Sequence, residues 1–410
     1  EREMEHEEGR GLPARVRFQV YGQPRGGAWH LYARAFDVAR ARTIAAATLP
    51  HAAPADVAGG IALVSHRAPT GASTGYAFSD LEGWGEAIET HPEREFGPIL
   101  ACLHTLSRGR LRLTAQLPPL ARDDAPVGLL LVPSGAQFQV RPPAWGDGRL
   151  VARITETVGP WRTVARAALD PDASTLTFEV DGWDDTAKTP YRVYFEGHVF
   201  DGVVRKDPKD EDEIVLAAFT GTKHFTGGLR WNHDGIWFPH ADLVTHVEAH
   251  DPDLLFFSGD QIYEGDITGV ERRPVERAIL DYHDKWRRFC CMVRDLARDR
   301  PTICIPDDHD VFHGNLWGAR GRRARRQDDG GYLMPPRFVI MVQRTQTAHL
   351  PRPFDPTPVE QGIGVYYTDL VYGGVSFAIL EDRKFKSSPT VAVPAGEFQN
   401  GWPQAEGFDP

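Results

Sequence analysis

The chain is poor in cysteine and has no long apolar segment. Four Cys in 410 residues are too few for a disulfide scaffold. Two of them, Cys290 and Cys291, are adjacent, so no CxxC metal-binding pattern occurs. No apolar stretch reaches the ~18 residues that a membrane-spanning helix needs. The first ten residues are acidic and lack the apolar core of a signal peptide. The sequence therefore predicts neither a disulfide-rich domain nor a transmembrane helix.

Positive charge is also scarce. The net charge is −11 and the isoelectric point is about 5.8, whereas a sequence-independent grip on a nucleic-acid backbone needs a basic surface. We therefore expect no nucleic-acid partner. Apolar residues make up 41% and charged residues 25% of the chain, which is typical of a soluble globular protein. The 40 Gly and 32 Pro exceed the usual share and indicate many loops and turns. This length corresponds to two or three domains.

Residues 1–145 predict an all-β domain, best interpreted as a β-sandwich of unknown role. Short β-type runs bounded by Gly, Pro or Asp carry this prediction. They occupy residues 15–22, 29–36, 109–117 and 127–134. Pro and Gly cluster at 141–148, which indicates a domain boundary. A structural role is favoured, and contact with a polysaccharide through Trp and Tyr side chains is the alternative.

A smaller strand-rich unit is predicted for residues 149–206, and the charged stretch 206–213 that follows is typical of an exposed linker. From residue 210 to 410 the pattern changes. Apolar runs of strand length alternate with amphipathic helical segments, of which residues 274–297 form the strongest. Strands that alternate with helices predict an α/β domain with a mostly parallel sheet. Later in the chain, the runs GVYYTDLVY and VSFAILED flank Gly373-Gly374, which predicts a hairpin.

Polar residues follow the predicted strand at 253–258 directly. The segment LLFFSGDQIYEGD places Asp260 just after the strand and a Gly, with Tyr263 and Glu264 close behind. Open α/β sheets bind their ligands at the carboxyl ends of strands, so Asp260 is a candidate functional residue. The alternative for an isolated Gly-Asp pair is a side chain that merely caps a turn.

A second acidic cluster follows the predicted strand at 302–305. In the segment ICIPDDHDVFHGNLWG, residues Asp307, Asp308, His309 and Asp310 are contiguous. Three carboxylates among four residues repel one another, and such a cluster normally needs a cation or full solvation. A histidine among them would have a raised pKa and could act as an acid.

A third segment, residues 219–235, follows the first strand of the α/β domain and contains His224, Asn232, His233 and Asp234. Each one alone is better interpreted as a loop residue. Taken together, however, the three segments match a site in which ligands from successive strand ends hold two metal ions about 4 Å apart. A Tyr phenolate in such a site favours a hard, highly charged ion such as ferric iron.

The segments PDLLFFSGDQIYEGD, IPDDHDVFHGNLWG and FAILEDRKF resemble the motifs of the PhoD-like alkaline phosphatases, a branch of the calcineurin-like metallophosphoesterases. The resemblance covers roughly residues 150–410. It implies an α/β metallophosphoesterase sandwich, in which β-sheets are flanked by helices, preceded by all-β sandwich domains. The strand-rich unit at 149–206 stands where that family carries a small β-sandwich.

The resemblance also implies roles for individual residues. Asp260 matches the bridging carboxylate, and Tyr263 matches the phenolate that ligates iron in that family. Asp308 stands where the wider superfamily has a metal-binding Asn, and Asp307 is a further candidate ligand. His309 matches the histidine beside the leaving group. The implied metals are Fe3+ together with Ca2+, with Zn2+ or Mn2+ as alternatives.

Arg383 lies in the segment that resembles the family's Leu-Asp-x-Arg strand end and is the candidate substrate-binding residue. Two departures from the family pattern are present. The first strand ends in Ala218-Phe219-Thr220 where a Cys ligand is common, so that Asn232, Asp234 or His224 would have to substitute. The late Gly-His-x-His motif does not follow Asp310. The 410 residues are therefore expected to lack a C-terminal portion that completes the metal site, unless the site is degenerate.

The leading hypothesis is a metal-dependent hydrolase of phosphate mono- or diesters. The rival is a catalytically inactive phosphatase-like protein that acts as a surface- or glycan-binding module, and the missing late histidine motif motivates it. The resemblance implies a periplasmic or extracellular location.

Overall fold

A computed structural model describes most of the chain in twelve segments. These are residues 15–59, 82–89, 97–119, 136–140, 156–158, 161–195, 197–225, 235–313, 332–381, 383–385, 398–399 and 402–403. The chain divides into two compact units, Glu1–Thr90 and His91–Pro410. The segment predicted to be a strand at 127–134 and the predicted boundary at 141–148 lie outside the described residues.

The first unit contains an antiparallel three-stranded meander. Its strands are β1 (Val16–Arg25), β2 (Ala28–Asp37) and β3 (Arg42–Ala52), in that spatial order, followed by a single helical turn, α1 (Pro54–Val57). Gly26 and Gly27, with φ of 59° and 81°, form the tight turn between β1 and β2 that left-handed backbone makes possible. The strands predicted at 15–22 and 29–36 are confirmed.

The second unit begins with two antiparallel sheets. Its early strands are β4 (Ala101–Ser107), β5 (Arg110–Gln116), β6 (Ala136–Val140), β7 (Glu156–Val158), β8 (Trp161–Ala167), β9 (Leu169–Asp170), β10 (Thr175–Asp181), β11 (Thr189–Phe195) and β12 (His198–Val204). One sheet has the order β4-β5-β10-β9 and the other has the order β12-β11-β6-β8-β7. Buried side chains of both sheets, among them Leu113, Phe178 and Val193, share one core, so the sheets pack face to face.

Strands from both sides of residue 145 share these two sheets. Strand β5 pairs with β10 along its whole length, and β6 pairs with both β8 and β11. The division between compact units falls at Thr90 and His91, which differs from the boundaries predicted from composition. The physical reason is that each sheet buries its apolar face only when both sets of strands are present.

A parallel sheet follows. Its strands are β13 (Leu216–Phe219), β14 (Leu254–Phe257) and β15 (Thr302–Cys304), in that order, and both pairings are parallel. Helix α2 (Ala241–Ala249) connects the first two strands and α3 (Val275–Arg298) connects the second two. This is the strand–helix alternation that the apolar pattern predicts. Parallel neighbours need such crossover connections, and their carboxyl ends lie at one edge of the sheet.

Helix α3 confirms the amphipathic stripe expected at 274–297. Its buried side chains each have a solvent exposure of 2% or less and include Tyr282, Trp286, Phe289, Val293 and Leu296. They form one core together with β14 and a later helix, α4 (Pro336–Thr347). The helix is thereby fixed against the sheet, and it holds the loop after β14 in place.

The hairpin predicted around Gly373-Gly374 is confirmed as β16 (Tyr367–Tyr372) and β17 (Val375–Leu380). A last short pair, β18 (Phe398–Gln399) and β19 (Trp402–Pro403), follows. The described part of the chain is therefore mostly β, with few helices. Among the described helices, none is long and apolar enough to cross a membrane.

Candidate metal centre

The loops that follow β14 and β15 touch at the carboxyl edge of the parallel sheet. Gly259 and Asp260 both have left-handed backbone, with φ of 118° and 55°. A Cβ at Gly259 would lie 2.4 Å from the Cβ of Asp307, so only glycine allows the two loops to come this close. The Gly-Asp pair of the first motif is therefore explained by a close approach between the two acidic segments.

Three of the predicted side chains come together at this contact. The ligand atoms of Asp260, Asp308 and His309 all lie within 4.8 Å of one another. The backbone N–H of His309 donates a hydrogen bond to Oδ1 of Asp260 at 3.3 Å, which ties the second motif to the first. Asp308 is buried, and Asp260 and His309 are half-buried. Two carboxylate oxygens and an imidazole nitrogen form a donor set suited to a divalent or trivalent cation.

The electrostatics of the group favour a bound cation. Burial, together with the neighbouring carboxylates of Asp307 and Asp308, raises the pKa of Asp260 to about 6, although His309 and the hydrogen bond from Tyr263 act in the opposite direction. A nearby positive ion stabilises the charged form of a carboxyl group that burial and neighbouring carboxylates make hard to ionise. The cluster therefore has the charge that a metal would neutralise.

His309 is held by a partner to which the sequence assigned no role. Its Nδ1 lies 2.7 Å from Oε2 of Glu264, and Arg272 lies 3.3 Å from the other carboxylate oxygen. The hydrogen bond with Glu264 raises the pKa of His309 above its ordinary value. Burial would raise the pKa of Glu264, but its hydrogen bonds, including that to His309, bring it below the ordinary value. This pairing orients the ring and leaves Nε2 for chemistry. The sequence signal for it was a Glu four residues after Asp260.

Tyr263 lies against the same group. Its ring centroid is 4.6 Å from that of His309, and its hydroxyl hydrogen-bonds the carboxylate of Asp260. A Cβ at Gly221, which has φ of 67°, would lie 2.7 Å from the Tyr263 hydroxyl oxygen, so the loop after β13 also closes tightly on this side chain. Burial and the charge of Asp260 raise the pKa of Tyr263 well above its usual range. The Tyr263 hydroxyl therefore keeps its proton, and a highly charged ion would be needed to ionise it.

Asp307 and Arg383, predicted separately as a metal ligand and a substrate-binding residue, form an ion pair with each other. Nε of Arg383 lies 2.8 Å from Oδ1 of Asp307. Burial raises the pKa of Asp307, and Arg383 opposes that shift. The group of three ligand side chains within 4.8 Å does not include Asp307. Both residues border the centre, but each is engaged by the other.

Asp310 turns away from the centre into the protein. It is completely buried, and its carboxylate accepts hydrogen bonds from the backbone N–H groups of Asp260, Ile262 and Asp307. A fourth comes from Nε2 of Gln346 on α4 at 2.8 Å. Neighbouring aspartates of the acidic cluster thus have different roles. Asp308 faces the centre, whereas Asp310 joins the two loops beneath it. The sequence pattern alone did not indicate that the side chains of Asp308 and Asp310 point in different directions.

The loop after β13 was expected to contribute a substitute ligand from His224, Asn232 or Asp234. His224 is buried and pairs with His240, with Nδ1 of the first 2.9 Å from Nε2 of the second. In the described part of the chain, His224 is not a member of the group around Asp260. Asn232, predicted as a substitute ligand, lies outside the described residues, as do His233 and Asp234.

Comparisons of the chain with protein-family models and with curated proteins found no match.

Proposed function

We propose that this protein is a metal-dependent phosphoesterase that hydrolyses phosphate mono- or diesters. The observation that carries the proposal is the meeting of Asp260, Asp308 and His309 within 4.8 Å, at the carboxyl ends of two adjacent parallel strands. This is the edge where open α/β sheets bind their ligands. The resemblance of both loop motifs to the PhoD-like alkaline phosphatases supports the same function and the α/β metallophosphoesterase fold.

The donor set fits the implied metals. Asp260 and Asp308 offer oxygen ligands to a hard cation, and the Tyr263 hydroxyl, hydrogen-bonded to Asp260, would complete an oxygen-rich site for Fe3+. Ca2+ accepts the same carboxylate donors, and Zn2+ or Mn2+ would suit a site that includes the His309 nitrogen. When bound, the ions supply Lewis-acid activation of the phosphate and of an attacking water.

The side chains of this chain supply the remaining steps. Asp260, whose carboxylate contacts both Tyr263 and the second motif, would be a ligand of the bound cations. His309 is held through Nδ1 by Glu264. If His309 is not itself a metal ligand, its charged form would donate the Nε2 proton to the leaving oxygen, and the hydrogen bond with Glu264, which raises the pKa of His309, favours that charged form. Arg383 is paired with Asp307 and would have to leave or share that carboxylate to contact a phosphate oxygen.

The test combines metal content with hydrolysis of nitrophenyl phosphate and bis-nitrophenyl phosphate. We expect the purified protein to carry iron, calcium, zinc or manganese well above trace, and we expect Asp308→Ala to lose both metal and activity. Asp201→Asn, which changes an exposed carboxylate on β12, is the matched control and should retain both. Metal-free, inactive wild-type protein would refute the proposal. Metal binding without hydrolysis would favour the inactive, surface-binding alternative.

A further inference from the structure

Lys223 lies in the loop after β13, and its backbone is anchored on both sides to the loop that carries Asp260. On one side, the N–H of Thr222 donates to the carbonyl oxygen of Asp260 at 2.7 Å. On the other side, the N–H of His224 donates to Oδ2 of Asp266 at 2.6 Å. These anchors hold Lys223 at the rim of the candidate metal centre and limit how far it can move away.

The ammonium group of Lys223 lies over the ring of Tyr263, which borders the centre. Its Nζ lies 5.6 Å from the centroid of the Tyr263 ring, which is within the reach of a cation–π interaction. That ring is 4.6 Å from the ring of His309. Lys223 is exposed, and within the described part of the chain no carboxylate pairs with it. Its positive charge is therefore available to an anion that enters from solvent.

Two other cations beside the centre in the described part of the chain are already engaged by carboxylates. Arg383 is paired with Asp307, and Arg272 contacts Glu264, the partner of His309. An incoming phosphate would have to compete with a carboxylate for either guanidinium. Lys223 needs no such exchange, so among these three described cations it is the one best placed to recognise the charge of the substrate.

We propose that Lys223 binds the phosphate group of the substrate and favours dianionic phosphate monoesters over monoanionic diesters. The inference rests on the proposed phosphoesterase function and narrows its substrate class. At pH 8 a monoester carries about two negative charges, because its second pKa is near 6, whereas a diester carries one. The additional charge, at a distance of roughly 6 Å from a partly solvated ammonium, changes binding on the order of tenfold.

The first test is binding of inorganic phosphate to the metal-loaded full chain at pH 8, measured by calorimetry. Lys223→Gln should raise the Kd about a hundredfold, which is about tenfold for each of the two charges of the phosphate dianion. Lys223→Arg should restore most of the affinity because it keeps the charge. Lys188→Gln, at an exposed lysine before β11, is the matched control and should leave the Kd unchanged. Unchanged affinity in Lys223→Gln would overturn the assignment, whatever the catalytic result.

The second test compares kcat/KM for nitrophenyl phosphate and bis-nitrophenyl phosphate, which share a leaving group. Lys223→Gln should lower the monoester-to-diester ratio about tenfold, whereas a merely structural role would lower both values equally. An unchanged ratio in an active enzyme overturns the role of Lys223 alone. Wild-type protein that binds neither metal nor phosphate and hydrolyses neither ester overturns the proposed function and this inference with it.

Discussion

Replacing Asp310 by Asn tests whether one buried carboxylate holds the two acidic loops together. Each oxygen of Asp310 accepts two hydrogen bonds. Oδ1 accepts from the N–H of Ile262 at 3.2 Å and from Nε2 of Gln346 at 2.8 Å. Oδ2 accepts from the N–H groups of Asp260 and Asp307, both at 2.8 Å. Four donors thus converge on one side chain that has no exposure to solvent.

The magnitude follows from the count of donors. Asn keeps one oxygen but replaces the other by an NH2 group, so two buried donors lose their acceptor and face another donor. Each unsatisfied buried group costs about 1–3 kcal/mol, which gives a destabilisation of roughly 2–6 kcal/mol. Unfolding entropy is ~2.1 cal/mol/K per residue, so a cooperative unit of roughly 300 residues should melt about 3–10 °C lower.

The assay is thermal unfolding at pH 8, followed by near-ultraviolet circular dichroism. Burial raises the pKa of Asp310 to about 7, so at pH 8 the carboxylate of the wild-type protein is ionised and can accept all four bonds. Asp201→Asn makes the same chemical change in a surface ion pair with Arg192 and should cost less than about 1 kcal/mol. Asp310→Asn should also lower metal occupancy, because the loops that carry Asp260 and Asp308 are no longer joined.

One result would refute this reasoning. If Asp310→Asn melted within about 1 °C of the wild-type protein and of the Asp201→Asn control, the carboxylate could not be the common acceptor of four buried donors. The arrangement of the two loops would then have to depend on the packing of α3 and α4 instead.

Five further predictions address the centre and the core. Asp260→Ala should lose metal and activity together, as measured by elemental analysis and turnover. His309→Ala should keep much of its metal yet lose on the order of 10²–10⁴ in turnover, with a smaller loss for nitrophenyl esters; loss of metal would instead make it a ligand. Glu264→Gln should slow turnover about tenfold without emptying the site, and equal rates for both forms would show that its hydrogen bond to His309 is dispensable. In iron-loaded protein, Tyr263→Phe should abolish a visible charge-transfer band, and persistence of that band would exclude the phenolate as its source. Burial lowers the pKa of His104 to about 3, whereas the unfolded value is about 6.5. Between these values only the unfolded chain takes up the proton, so stability falls as the pH is lowered, by about 2 kcal/mol at pH 5. Urea unfolding of His104→Leu should show this pH dependence reduced, and an unchanged slope would contradict the assignment.

Local patterns predicted the regular elements well where burial is strongly one-sided or complete. The stripe on α3 and the apolar run of β14 are examples, because both elements are specified by side chains that must leave water. The hairpin of β16 and β17 was found from Gly373-Gly374, since both residues adopt left-handed backbone that other residues disfavour. The positions of Asp260 and His309 after strands followed from the same reasoning.

The domain boundary shows where composition is insufficient. A cluster of Pro and Gly at 141–148 indicated a break, yet β6, which precedes it, pairs with β8 and β11, which follow it. Pairing between strands distant in the chain depends on which sheet faces bury each other. No local window of sequence contains that information.

By itself, the sequence determined that acidic side chains would stand at the ends of two buried strands, because each apolar run is followed by a Gly or a Pro and then by Asp. Only the tertiary structure decided which way each carboxylate points. Asp308 faces the centre, Asp310 faces four buried donors, and Asp307 faces Arg383, although the three aspartates lie within four consecutive positions. Their directions depend on the backbone turn at His309 and on partners from α4 and the segment after β17, which lie tens of residues away and meet only in the folded chain.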